Sequence, residues 1–401
     1  MDFGDYRRSD LRDFVVCSAC VEEPDLEKYI SCADGDLGCS FCDQHDAPTC
    51  EFMDLMTHIK SCLEGEYDLA ANWLPYESAE GGWQSDRYWD TPDLITDQLG
   101  IGLPRDENGV LLQAMVDGLG GLEDWCEHDP YGEDELDALR AGWERFCQLL
   151  KYETRFFLDR WHHSPKSSYF LNTGYTPAQM LRAIGDRIVR MNLRKQLPDG
   201  TRLYRARPST AGTRLTSPAE LGPPTREQAL MSNRMSPPGV VMTYTALDPE
   251  TALAETVGDE GGLYAIGEFL TRRSANLLDL TSLPQVPSFF EVIPDSRPWS
   301  RRDAQFFHDL VIDFARPIAR DDRVHIEYVP TQVFTEYCRL ALHDDYHCEP
   351  FDGILYPSAR KTEGISVVLF ADRRSVVGAT EDDSSAWLQL ASVEYKDVLP
   401  L

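Results

Sequence analysis

Leu203-Tyr204-Arg205-Ala206-Arg207 is the stretch on which the fold turns. It follows the turn signal Pro198-Asp199-Gly200, contains no helix breaker, and reads as a strand. Side chains alternate along a strand, so Arg205 and Arg207 fall on one face. Downstream the texture stays that of short strands: Val240–Ala246, Leu263–Leu270, Asn276–Leu280, Gly353–Tyr356 and Ile365–Phe370. Helices fit between them at Asp248–Val257, where Asp248 caps and Pro249 takes the first helical position, at Ser300–Ala315 and at Thr331–His343. Strands and helices mixed in this order predict an α+β domain. Upstream the pattern is helical. Thr176-Pro177-Ala178-Gln179 is a capping box that opens a helix with a buried stripe of Leu181, Ile184, Ile188 and Met191. Before it, Leu136, Leu139, Trp143, Phe146 and Leu150, continued by Phe157 and Trp161, predict one long amphipathic helix over Glu133–His163, stopped by Pro165. From Glu64 to Gly132 the chain is rich in Gly, Pro and Asp, and Trp73, Trp83 and Trp89 there are read as packing anchors.

The chain has 401 residues, room for two or three domains, with 42% hydrophobic and 26% charged residues. No apolar run is long enough to span a bilayer, and the first residues have neither an apolar core nor a cleavage site, so a cytoplasmic protein without a membrane partner is expected. A formal net charge of -30 repels nucleic-acid phosphates, which argues against nucleic acid as a partner. An anionic small ligand would need a local cation cluster, and Arg202, Arg205 and Arg207 supply one on a single segment.

Seven of the 11 cysteines lie between Cys17 and Cys62. Cys17-Ser-Ala-Cys20 and Cys39-Ser-Phe-Cys42 are two C-x-x-C knuckles separated by 18 residues, the spacing of a four-thiolate zinc site. Four thiolates close the coordination sphere, so this zinc would be structural. Cys32, His45, Cys50, His58 and Cys62 are further ligand types from which a second ion site is conceivable. The alternative is a set of free buried thiols.

Four features recur in the C-terminal half: the strand with Arg205 and Arg207; Asn233-Arg234-Met235-Ser236-Pro237-Pro238-Gly239 followed by a strand with Tyr244; Glu250-Thr251-Ala252-Leu253-Ala254-Glu255 on a helix; and Asp352-Gly353-Ile354-Leu355-Tyr356-Pro357-Ser358, a strand that ends on a serine. In this order they resemble the RES domain, a toxin-type family related to ADP-ribosyltransferases and known for consuming NAD. The resemblance maps the family's arginine, glutamate and serine onto Arg205, Glu255 and Ser358, and its aromatic residue onto Tyr244. Tyr328-Val329-Pro330-Thr331-Gln332 resembles the family's segment ahead of the serine strand. It covers most of residues 201–372. The familiar bacterial toxins carry a glycine-rich turn where this chain has Asn233-Arg234-Met235-Ser236. Residues 66–195 resemble, more weakly, the HEPN-type helical domain joined to RES in some bacterial proteins.

The resemblance implies an ADP-ribosyltransferase-like α+β domain at residues 201–376, preceded by a mainly helical domain at 66–200 and a zinc-binding module at 1–65, with 377–401 as a tail that packs back through Trp387, Leu388, Leu390 and Val393. It implies NAD as substrate and cleavage of the nicotinamide-ribosyl bond, with water or phosphate as acceptor. The residue types suit that chemistry. Guanidinium forks match phosphate oxygens, which assigns Arg205 to the pyrophosphate, with Arg207 or Arg234 second and Asn233 beside them. A carboxylate near the ribose offsets the developing positive charge, the part given to Glu255. Tyr244 would stack on a ring, and Ser358 would orient an amide, a hydroxyl or the acceptor. A toxin needs restraint, so an antitoxin or regulatory protein is an expected partner, with homo-oligomers also considered and residues 1–195 as the docking or sensing part. Three other readings compete: transfer of ADP-ribose to a macromolecule, a HEPN-type ribonuclease using Arg155 and His162, and a non-enzymatic binding module. Each site residue also has a plain alternative, such as an ion-pairing arginine or a core tyrosine, and it is their joint order that favours the site.

Overall fold

The computed structural model describes residues 8–399 except 34, 36, 43–45, 132–133, 157, 159–174, 210–213, 259–260, 292–296, 319–322 and 382. It divides into two compact units, Met1–Asp134 with Val286–Arg297, and Glu135–Gln285 with Pro298–Leu401. Helices and strands are mixed throughout, as the α+β expectation requires.

In the first unit the helix Phe52–Glu66 buries Phe52, Leu55, Met56, Ile59 and Leu63, one stripe at helical spacing. The helices Pro24–Cys32 and Val110–Leu119 bring Leu26, Ile30, Leu111 and Met115 into the same core. Short strands surround it. Val15–Cys17 pairs antiparallel with Thr49–Glu51, and Tyr67–Leu69, Asp124–Glu127 and Trp89–Asp90 form a three-stranded sheet. Trp83 anchors through Nε1 to Asp124 Oδ2 at 2.8 Å, and Trp89 sets its ring edge-on to Tyr67. These strands have two to four residues, too short to show alternation in a sequence.

The second unit holds a nine-stranded sheet: β1 Arg194–Leu197, β2 Arg202–Pro208, β3 Thr243–Ala246, β4 Gly262–Thr271, β5 Ala275–Asp279, β6 Gly353–Pro357, β7 Ile365–Leu369, β8 Val376–Gly378 and β9 Leu388–Val398. Their spatial order is β8-β9-β4-β2-β3-β7-β6-β5-β1. The pairs β5–β6 and β8–β9 are parallel and the rest antiparallel. The helices are α1 Glu135–Tyr152, α2 Pro177–Arg190, α3 Pro249–Thr256, α4 Arg301–Ala315 and α5 Val329–Leu340. Helices α1, α2, α4 and α5 share one apolar core with the Ile354, Tyr356 and Val368 side of the sheet, through Trp143, Phe146, Ile184, Phe307, Phe314 and Phe334. Leu203, Phe269, Leu277, Leu355, Val367 and Trp387 make a second core. A buried ion network ties three helices at one end: Arg187 Nε meets Asp303 Oδ1 at 2.7 Å, Arg187 Nη2 meets Glu135 Oε1 at 2.6 Å, and Arg190 reaches Asp303 at 3.3 Å. Charges this buried are costly alone, so removing one partner would strand the others.

Several boundaries differ from the expected ones. Helix α1 ends at Tyr152, where the amides of Glu153 and Thr154 both turn back to Leu149 O. Phe156 beyond it is exposed. Phe157, Trp161, His162 and Pro165 lie outside the described residues. The compact units also divide the chain otherwise than at residues 65, 200 and 376. Helices α1 and α2 pack on the sheet, β1 is its edge strand, and the last segment is β9, paired with β4 along ten register positions from Gly262 to Thr271. Trp387, Leu388 and Leu390 are buried there.

Candidate active site

The strands β2 and β3 share a single register pair, Ala246 with Tyr204, so the sheet opens between them. Arg205 bridges the opening: its Nη1 donates to Tyr244 O at 2.8 Å. A cavity of about 860 Å³ lies here, within the range of small-molecule sites, roughly 300–1,000 Å³. Arg205, Arg207, Asn233, Arg234, Tyr244 and Glu255 all line it. Tyr204, His325, Tyr328 and Tyr356 line it as well, and residue-by-residue sequence reading had given them no role.

The two strand arginines are electrostatically unsatisfied. Nε of Arg205 and Nε of Arg207 are buried without a hydrogen-bond partner among the described residues. Beyond the Tyr244 carbonyl for Arg205, Arg207 Nη2 reaches only the Gly222 carbonyl, at 2.7 Å. Among the described residues neither has a carboxylate within ion-pair distance, in a chain with 68 acidic residues. Burial, then the neighbouring Arg207, lowers Arg205 to about 9 from the ordinary guanidinium range. Burial and Arg373 lower Arg207 too. A shift in that direction means that burial beside other guanidinium groups disfavours the charged form, and an anion between the forks would reverse it.

Arg234 is placed differently. It donates to the carbonyls of Phe314 and Arg316, the latter at 2.8 Å, and lies over the Tyr328 ring at 5.4 Å. Those bonds pin the loop 232–236 to the end of α4. Gln332 holds the same loop from α5, donating through Nε2 to Ser232 Oγ at 2.9 Å and to the carbonyls of Asn233 and Ser236 at 2.7 and 3.3 Å. Ser236 Oγ in turn shares a hydrogen bond with Tyr244 OH at 2.9 Å. Burial pushes the Tyr244 phenol above its ordinary range, which favours the neutral form. Asn233 Nδ2 donates to Met231 O at 3.2 Å.

Glu255 sits in the last turn of α3. Asp248 caps that helix by accepting from Thr251 N at 2.8 Å. Glu255 Oε1 accepts from Ser358 Oγ at 2.5 Å and from Ala359 N at 3.1 Å. Ser358 Oγ accepts from the amides of Arg360 and Lys361, both at 3.1 Å. Ser358 thus bonds Glu255 directly, and Glu255, Ala359 and Arg360 line the cavity beside it. The loop after β6 is fastened to both ends of α3, since Lys361 Nζ also pairs with Asp248 Oδ1 at 2.7 Å. Gly364 permits the approach, because a Cβ there would lie 2.6 Å from Thr251 Oγ1. Gly364→Val is expected to lever this loop off α3, at a cost of about 1–3 kcal/mol, with a lower melting temperature. An unchanged melting temperature would show that the contact is slack.

In the first unit the sulfurs of Cys17, Cys20, Cys39 and Cys42 lie within 4.8 Å of one another. Neighbouring Sγ atoms are 3.6 Å apart for Cys17–Cys20 and Cys17–Cys42, and 3.8 Å apart for Cys20–Cys39. A tetrahedron with metal–sulfur bonds of about 2.3 Å has edges of roughly 3.8 Å. This donor set fits a closed zinc-type site and could hold one metal ion. Among the described residues the other ligand types form no further group of three. His58 Nε2 bonds Phe290 O at 2.9 Å and stacks on Tyr29, Cys62 Sγ is 4.0 Å from it, Cys32 is exposed, and His45 lies outside the described residues. Arg155 is exposed beyond the end of α1, and His162, its supposed nuclease partner, lies outside the described residues.

Fold and site together define an α+β protein with a cationic cavity that carries one oriented carboxylate. Residues 202–390 match the model of the RES domain, and residues 33–164 match that of HEPN/RES N-terminal domain 1. The chain thus carries a RES domain behind a HEPN/RES N-terminal domain, and RES domains form a toxin-like family of NAD-related enzymes. The first match begins inside the cysteine-rich segment and runs past Asp134 into α1. The second runs on into β9. No curated protein and no solved structure matches the chain significantly. Among the described residues no helix is long and apolar enough to cross a membrane.

Proposed function

We propose that this chain cleaves the nicotinamide-ribosyl bond of NAD in the cavity between β2 and β3. The observation that carries the reading is the pairing of two guanidinium groups that have no carboxylate partner among the described residues, Arg205 and Arg207, with one carboxylate, Glu255, in a single cavity. The arginines take the pyrophosphate, whose charge replaces the ion pairs they lack. The bond between ribose C1′ and the pyridinium nitrogen breaks, and its electron pair neutralises the departing nicotinamide. Glu255 offsets the positive charge that grows on the ribose. Ser358 and Ala359 hold that carboxylate in one orientation before substrate arrives, so little reorganisation is needed at the moment of reaction. Tyr244, kept neutral, offers its ring as a stacking surface. Water completes a hydrolysis, losing one proton as ADP-ribose forms; phosphate in its place gives the phosphorolysis product.

Product analysis tests this. Nicotinamide and ADP-ribose should appear together from NAD and the purified full chain, and added phosphate should reveal whether it replaces water. Arg205→Gln should weaken NAD binding by roughly tenfold to a hundredfold, one charge-assisted contact being worth about 1.5–3 kcal/mol. An unchanged KM would remove Arg205 from the pyrophosphate.

The four-cysteine cluster we assign to one structural zinc, held by Cys17, Cys20, Cys39 and Cys42, which fastens the strand Val15–Cys17 to the segment around Cys39–Cys42. An NAD-consuming activity would also require a restraining protein partner, an antitoxin or regulator, in the cytoplasm of the producing cell.

A further inference from the structure

A second cavity, about 240 Å³, adjoins the first and shares Pro224 and Val241 with it as lining residues. Its charged lining is Arg226, Asp372, Arg373 and Arg374. The single carboxylate is taken: Asp372 Oδ2 accepts from Arg374 Nη2 at 2.9 Å and Nε at 3.1 Å, while Oδ1 accepts from the Arg374 amide at 3.0 Å. Among the described residues Arg226 and Arg373 have no ion-pair partner. Two guanidinium groups without a carboxylate at ion-pair distance among the described residues therefore line one small cavity, Arg373 half-buried and Arg226 exposed within the field of Asp372 and Glu227, in a chain whose net charge is -30. The 3-10 turn Arg226–Gln228 presents one of them and the 3-10 turn Arg373–Ser375, just after β7, presents the other.

We infer that Arg226 and Arg373 form a phosphate subsite beside the catalytic cavity, separate from the Arg205–Arg207 pyrophosphate position. The inference rests on the NAD-cleaving reading for its role in turnover, though not for phosphate binding itself. Two guanidinium groups lining a cavity of this size suit a phosphate group, which offers an oxygen pair to each fork. Arg373 also lies near enough to Arg207 to lower its proton affinity, so an anion here would be felt by the first cavity. Two sources offer such a group: the 2′-phosphate of a phosphorylated nicotinamide dinucleotide, or free inorganic phosphate.

The test uses the full chain, Arg226→Gln, Arg373→Gln and the double variant, none of which alters a residue assigned to bond cleavage. Inorganic phosphate alone should raise the melting temperature of the wild type, and the double variant should lose that response. Nicotinamide release is then compared for NAD, for NADP, and for NAD with added phosphate. A preference for NADP that falls at least tenfold in the double variant marks the 2′-phosphate as occupant. A saturable phosphate acceleration that falls likewise marks the free ion. Phosphate stabilisation and dinucleotide preference identical in wild type and double variant would overturn the subsite. If the wild type cleaves neither dinucleotide, the activity reading fails, and the melting-temperature comparison alone still decides whether phosphate binds here.

Discussion

Glu255→Gln is expected to lower nicotinamide release by about 10²–10³-fold while leaving the melting temperature within about a degree or two. The amide keeps an oxygen able to accept from Ser358 Oγ and Ala359 N, so the loop and α3 remain joined. What is lost is the negative charge beside the ribose, and removing one preorganised electrostatic group of this kind typically costs about two to three decades. KM should change little, because the charge is needed most when the C1′–nitrogen bond is stretched. Ser358→Ala separates positioning from chemistry. It leaves the carboxylate but removes its 2.5 Å donor and the acceptor of two loop amides, so a smaller fall in kcat is expected, about ten- to a hundredfold. Equal losses in both variants would mean that the serine itself touches the reacting atoms.

Cys20→Ser is expected to have the largest effect on stability. Cys20 is buried and its sulfur neighbours those of Cys17 and Cys39. Apparent binding energies of structural zinc reach about 10–16 kcal/mol in small metal-folded domains, so even partial loss of the ion would exceed the margin of an ordinary domain. The variant should carry no zinc, and its N-terminal unit should be cut rapidly by protease, whereas the wild type should carry one equivalent by elemental analysis. A wild-type protein that is folded, protease-resistant and free of zinc would end this assignment.

The C-terminal sheet was legible in the sequence because its strands are long and bounded by turn signals. Leu203–Arg207, Leu263–Leu270 and Ile365–Phe370 each fall within a residue or two of an observed strand. The edge strands were not, since Arg194-Lys195-Gln196-Leu197 offers one buried residue in four and Val376–Gly378 has only three residues. The stripe through α1 reads on past Tyr152 without a break in spacing, whereas the helix ends there, where the amides of Glu153 and Thr154 turn back to Leu149 O, a stop that carries no signal in the sequence. At the site, Arg205, Arg207 and Glu255 were readable as residue types, and the structure brings them to one cavity. The bond between Ser358 and Glu255 was not legible, because it depends on a loop closing through Gly364 and Lys361. The Gln332 staple was visible only as part of the Tyr328–Gln332 segment, because the spacing of its three acceptors from residue 332, about 100 residues, carries no local signal. The Arg226–Arg373 cavity joins turns distant in sequence for the same reason.

The most direct measurement is a time course of nicotinamide formation from NAD by the full chain, followed beside Glu255→Gln under identical conditions. Nicotinamide appearing one for one with NAD lost, from the wild type and not from the variant, is the predicted result. Equal release by both proteins, or tight NAD binding by the wild type with no nicotinamide formed, would contradict the assignment of this cavity to glycosidic cleavage.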